Sequence, residues 1–137
     1  QLWPNHHFLL PASADASQAS ALAALPNLTL LPEGVRPLDV LGRCDRFVGK
    51  PGFSSFCEAM AEGVGMHVVE RGGFAEASAL MEGLQRHGQH RCLSRLELDA
   101  GAWQLDQPLN PPSDAPLSAS GALEAAQALV DWAATSY

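Results

Sequence analysis

The stretch Val48–Gly63, VGKPGFSSFCEAMAEG, brings together a lysine, a glycine, two serines and a glutamate. That set suits an anion. A glycine has no Cβ to hold a phosphate off the backbone, and the amides of a helix start point outward, toward negative charge. Lys50 adds a cation. In this reading Gly52 is free to take positive φ, and the amides of Ser54, Ser55 and Phe56 are the donors. Ser55 and Glu58 have the S-x-x-E spacing of a capping box, in which the glutamate bonds back to the serine amide. The same carboxylate is equally placed to accept ribose hydroxyls. A plain strand-to-helix turn with a serine cap also fits the stretch.

A second strand end, Glu70–Ser78 (ERGGFAEAS), repeats the arrangement of strand, paired glycines and helix start. Glu76 there either balances the helix dipole or accepts a hydrogen bond from a ligand hydroxyl. His87, His90 and Cys92 are close in sequence but match no zinc spacing. Cys57 has no histidine or asparagine arrangement that singles it out as a nucleophile. Neither a metal nor a cofactor is expected.

The elements that must carry these groups are short. His6–Pro11, Leu28–Pro32, Asp45–Gly49 and Met66–Glu70 are apolar runs bounded by turn residues and read as strands; Arg91–Arg95 is a weaker fifth. Asp15–Leu25 reads as an Ala-rich helix, with Asp15 and Gln18 spaced like a capping box. Ser55–Gly63 places Phe56, Ala59 and Met60 on one helical face, and Gly63 suits the stop. Phe74–Leu84 repeats Ala77, Leu80, Met81 and Leu84 at i, i+3, i+4 and i+7. Strand alternating with helix through short connections predicts parallel strands in an α/β sheet of the doubly wound kind. Phe47, Val48, Val68 and Val69 are expected in its interior strands.

After Asp99 the texture changes. Residues 1–98 read as the α/β domain, and 99–137 as a Pro-rich extended segment followed by a helix over Gly121–Ala134, with Ser120 as its N-cap. Trp103, Leu105, Leu109 and Leu117 lie in a run too irregular to build a core of its own. Leu123, Leu129, Val130 and Trp132 decorate a helix with few charges. The expectation is that this tail hides its apolar surface against a second copy, as a homodimer, with folding back on its own sheet as the alternative.

The 137 residues are 47% apolar and 17% charged, enough for one domain with a modest core. Eight Lys and Arg against 15 Asp and Glu leave a net charge of −7. Without a basic stripe, nucleic acid is not an expected partner. No apolar run reaches bilayer length and no leader opens the chain, so no transmembrane segment is expected and the setting reads as cytoplasmic. Three cysteines with no metal-like pairing fit a reducing compartment. The chain begins at Gln1, and a further segment is expected before it.

The order strand, Lys50-Pro51-Gly52, two serines, Glu58-Ala59, Gly63, strand, Arg71 and Phe74-Ala75-Glu76 resembles the C-terminal half of GT-B glycosyltransferases. It is similar to the peptidoglycan N-acetylglucosaminyltransferase group, to uncharacterised glycosyltransferase-like proteins, and to the region preceding some sugar kinases. The likeness runs from about Asp39 to Leu105. It implies a three-layer, Rossmann-like parallel sheet and a nucleotide-sugar donor, usually a UDP-sugar. The donor-binding residues it implies are Lys50, Gly52, Phe53, Ser54, Ser55, Glu58, Phe74 and Glu76. The Gly52–Ser55 loop would hold the diphosphate, Glu58 the ribose, and Glu76 the sugar; Lys50 stands where the peptidoglycan enzymes carry an arginine. An N-terminal half would bind the acceptor and commonly supplies the catalytic base, so no catalytic residue is assigned and this piece alone is expected to be inactive. A non-catalytic nucleotide-sugar sensor, an assembly module and part of a nucleotide-sugar 2-epimerase remain as alternatives.

Overall fold

The apolar run after Gly63 forms the central strand of the larger sheet. β4 (Gly65–Val69) is buried along its whole length, as a strand covered on both faces must be. The structure, a computed structural model, describes residues 3–12, 15–69 and 72–135. In chain order, β1 (Phe8–Leu10), α1 (Ala16–Ala23), β2 (Leu28–Leu30) and α2 (Pro37–Leu41) precede β3 (Arg46–Gly49) and α3 (Phe53–Ala61). After β4 come α4 (Ala77–His87), β5 (His90–Leu93), α5 (Arg95–Asp99) and α6 (Gly121–Thr135). The architecture is mixed α/β with small parallel sheets. No helix among the described residues is long and apolar enough to cross a membrane.

All strand pairs are parallel, as expected, but they form two sheets: β1–β2, and β3–β4–β5. Phe8 pairs with Leu28 in the first; Phe47 pairs with Met66, and Met66 with His90, in the second. Val68 and Val69 therefore lie in an interior strand. Phe47 and Val48 do not: β3 is the edge of its sheet, half-buried. Residues of β3 and β1 line a common cleft.

One face of the larger sheet is packed by helices. Met66 and Val68 meet Phe56 and Ala59 of α3 and Leu84 of α4, with Leu80 and Met81 beside them. The i, i+3, i+4, i+7 pattern thus points inward as read, although α4 starts at Ala77 and ends at His87 rather than spanning Phe74–Leu84. The opposite face is covered by the segment after α5, Leu109 lying against Gly65 and the Trp103 backbone beside His67. Leu105 is buried, Trp103 Nε1 donates to Leu98 O at 2.9 Å, and Asn110 bridges antiparallel to His90. The Pro-rich run therefore packs where exposure was expected of it; Leu117 and α6 remain exposed.

The helix ends follow local chemistry. Asp15 Oδ1 accepts from the amides of Ser17 and Gln18 and starts α1. Gly63, at φ +68°, ends the α3 turn, in the left-handed region that glycine alone enters without strain. Two short helices were not expected. α2 opens with Pro37 at its first position and Asp39 bonding back to the Arg36 amide, and α5 opens with a reciprocal Ser94–Glu97 capping box.

Candidate functional site

Chain geometry at the end of β3 sets the first half of the site. Pro51 is fully buried, which anchors the loop, and α3 begins at Phe53 with Gly52 as its N-cap. The helix therefore starts two residues earlier than Ser55, and Ser55 and Glu58 form no capping box. The cap carries no side-chain hydrogen bond, so the first-turn amides are those of Phe53, Ser54 and Ser55. The Phe56 amide is not a free donor; it bonds to Gly52 O at 3.0 Å.

Gly52 sits at φ −150° and ψ 129°, extended backbone that any residue adopts, so positive φ is not what the position needs. Its value is space. A Cβ built there meets nothing nearer than Ser55 Oγ at 3.9 Å, leaving the approach to the amides open. Gly49 is constrained more tightly, because a Cβ would press on the Phe47 ring at 2.5 Å. Lys50, Phe53 and Ser54 are exposed, while Ser55 and Glu58 are half-buried.

A cation that the sequence reading missed completes this end. Arg36, at the start of α2, lines a hollow of about 260 Å³ together with Ser55, Leu38 and Phe47. Its guanidinium is 2.7 Å from Asp39 Oδ1. That hydrogen bond, and then the Asp39 charge, raise the pKa of the guanidinium, with a smaller contribution from Glu58. Asp39 is correspondingly held below its ordinary value, first by the Arg36 side-chain hydrogen bond. The available signal was Arg36-Pro37-Leu38-Asp39, a proline at the first helical position with an acid two residues on.

The second loop lies at the same edge of the sheet, because Gly49 pairs with Val68 and β3 and β4 run parallel. Glu70 and Arg71 lie outside the described residues. Phe74 is half-buried and its carbonyl accepts from the Ala77 amide. Glu76 is the α4 N-cap, exposed and without a side-chain cap bond, so it stands before the first turn rather than in it. Of the histidines near α4, His87 Nδ1 pairs with Ala115 O and His90 Nδ1 with Gly88 O. The three cysteines form no disulfide among the described residues.

Beside this edge lies the cleft between β1 and β3, about 720 Å³ in volume. Phe8, Leu10, Val48, Trp103 and Leu105 are among its apolar lining residues, and His6, Arg43, Asp45 and Arg46 also line it. β1 and β3 belong to different sheets, and both contribute residues to this cleft. No family model matches the chain, and neither does any curated protein or solved structure.

Proposed function

We propose that this chain is the donor-binding half of a glycosyltransferase-like protein of GT-B type, taking a nucleotide-sugar, with UDP-sugars as the class. The observation that carries the reading is the start of α3. Three first-turn amides without a side-chain cap open beside a glycine at the carboxyl end of β3, a strand that borders the cleft. A diphosphate suits those amides because it brings its own negative charge to the positive end of the helix. Lys50 and Arg36 supply the nearby cations, Glu58 accepts the ribose hydroxyls, and Phe74 and Glu76 lie toward the sugar. A Rossmann-like sheet is compatible with the parallel strands. Transfer itself is assigned to a second half carrying the acceptor and the base.

With one wall of the donor site supplied, affinity is expected near the millimolar range, about −4 kcal/mol. NMR titration of the chain with UDP and a UDP-sugar tests this. Perturbation should begin at the amides of Gly52–Glu58 and be lost in Gly52→Val, whose side chain closes the approach. Shifts confined to Arg91–Leu93, or none at ten millimolar ligand, a concentration about tenfold above the expected dissociation constant, overturn the reading.

A further inference from the structure

His67 is fully buried in β4, and neither ring nitrogen has a hydrogen-bond partner among the described residues. A neutral ring can stay there at a cost; a charged one needs a partner. What surrounds it is cationic. Arg91 of β5 is in register with His67, and its guanidinium donates to the neutral oxygens of Gln104 and Pro108. Arg46 of β3 pairs with Gly65, two residues back on the same face. Its Nη1 is 3.4 Å from where a Gly65 Cβ would stand, close to Leu109, and donates to Asp45 O. Glu97 feels the charge of Arg91, but its oxygens are taken by Ser94 and Gln104. His90 pairs with Met66 and so belongs to the helix-covered face. A proton on His67 would make a third cation beside two others, away from water. Burial, and then Arg46, accordingly hold its pKa below 6.5, the Trp103 backbone opposing them in part.

The segment lying over this face is lightly held. From Ala102 to Asn110 only Leu105 is buried. Gln104 sits at φ +55°, a left-handed conformation that a residue with a side chain keeps only under constraint. Its side chain supplies the constraint: Oε1 accepts from Arg91 Nε at 3.0 Å, and Nε2 donates to Glu97 Oε1 at 2.6 Å. The other face packs Met66 and Val68 into the core with Phe56, Ala59 and Leu84. Segments with few buried apolar groups open before such a core does.

We propose that Trp103–Leu109 is an acid-released strap: when His67 takes up a proton from solvent, the strap lifts off β4 while the sheet and its helices stay folded. Trp103 and Leu105 line the β1–β3 cleft, so release removes their part of its wall. Asp106 of the strap stands 3.6 Å from His6 Nε2, and a charged His6 would hold it more firmly, so that contact works against release.

The strapped form keeps the ring neutral, whereas the released form exposes it at its ordinary value of 6.5. Release is therefore suppressed above pH 6.5 and grows as pH falls below it. With one proton taken up, the opening constant should rise by up to about 30-fold between pH 8 and 5. Glu97 is held below its ordinary 4.5, first by the Ser94 amide, so the partner of Gln104 stays charged across that range.

Native-state hydrogen exchange of the intact chain, in low concentrations of urea at pH 8, 6.5 and 5, tests the proposal. After correction for intrinsic exchange rates, the Leu105 amide and the Gln107 amide, which donates to Gln104 O, should show the rise. Their exchange should depend little on urea, as local opening does, while β4 amides show the steep dependence of global unfolding. H67L, or H67M should that variant not fold, should abolish the rise. A wild-type rise below about threefold, an equal rise in the variant, or strap amides that follow urea as steeply as those of β4 overturns the proposal.

Discussion

His67 offers the sharpest test of the packing, because it sits at the centre of the sheet on the face away from Met66 and Val68. The residue is fully buried, and neither ring nitrogen has a hydrogen-bond partner in the protein. Desolvation, and then the charge of Arg46, push its pKa below the ordinary 6.5, Arg91 adding to the effect. The nearby Trp103 backbone works the other way but is outweighed. An unsatisfied buried polar group costs about 1–3 kcal/mol. His67→Leu removes that cost, and imperfect shape returns up to ~1.5 kcal/mol. The net expectation at pH 8 is a variant about 1 kcal/mol more stable, a rise of roughly 3–5 °C in Tm for a chain of this size. Acidification widens the gap. Since the folded pKa is the lower one, the unfolded chain takes up the proton first, and wild-type stability is lost as pH falls below 6.5. One such proton is worth up to about 1.4 kcal/mol per pH unit. Urea unfolding of both proteins at pH 8, 6.5 and 5 measures this. A variant less stable than wild type by more than ~1 kcal/mol at pH 8, or a gap that stays constant to pH 5, refutes the reasoning.

Three further outcomes are expected. Gly65→Val should destabilise the fold by about 1–3 kcal/mol, since a Cβ there collides with Leu109 Cδ1 and crowds Arg46 Nη1; a Tm within a degree of wild type would count against Leu109 covering the sheet. Ser94→Ala should cost about 0.5–2 kcal/mol by removing the acceptor of the Glu97 amide and the partner of its carboxylate, and hydrogen exchange should rise across α5 first. Ser94 hydrogen bonding holds Glu97 below its ordinary pKa, so this capping contribution is lost as pH falls below about 4.5. Glu58→Gln should leave stability within ~0.5 kcal/mol, there being no capping box to lose, yet weaken UDP-sugar binding by roughly 1.5–3 kcal/mol if the carboxylate holds the ribose; equal affinity in the two proteins removes that role from Glu58.

The sequence by itself determined the features whose cause lies within a few residues. The inward stripe of α4 and the left-handed stop at Gly63 are local, and so is the Asp15 cap. The continuous apolar run of β4 was also enough to identify a strand buried on both faces. The S-x-x-E spacing shows where that locality ends. It occurs at Ser55–Glu58 and at Ser94–Glu97, and it caps a helix only at the second. Ser94 follows directly on β5, so the helix has nowhere earlier to begin. Buried Pro51 instead starts α3 at Phe53, before Ser55 is reached. Tertiary structure alone decided the division into two sheets, the approach of the Trp103 backbone to His67, and the meeting of Arg36 with Ser55. Each of these joins groups far apart in the chain, and such pairings are selected by burial and edge geometry, which no window of neighbouring residues contains.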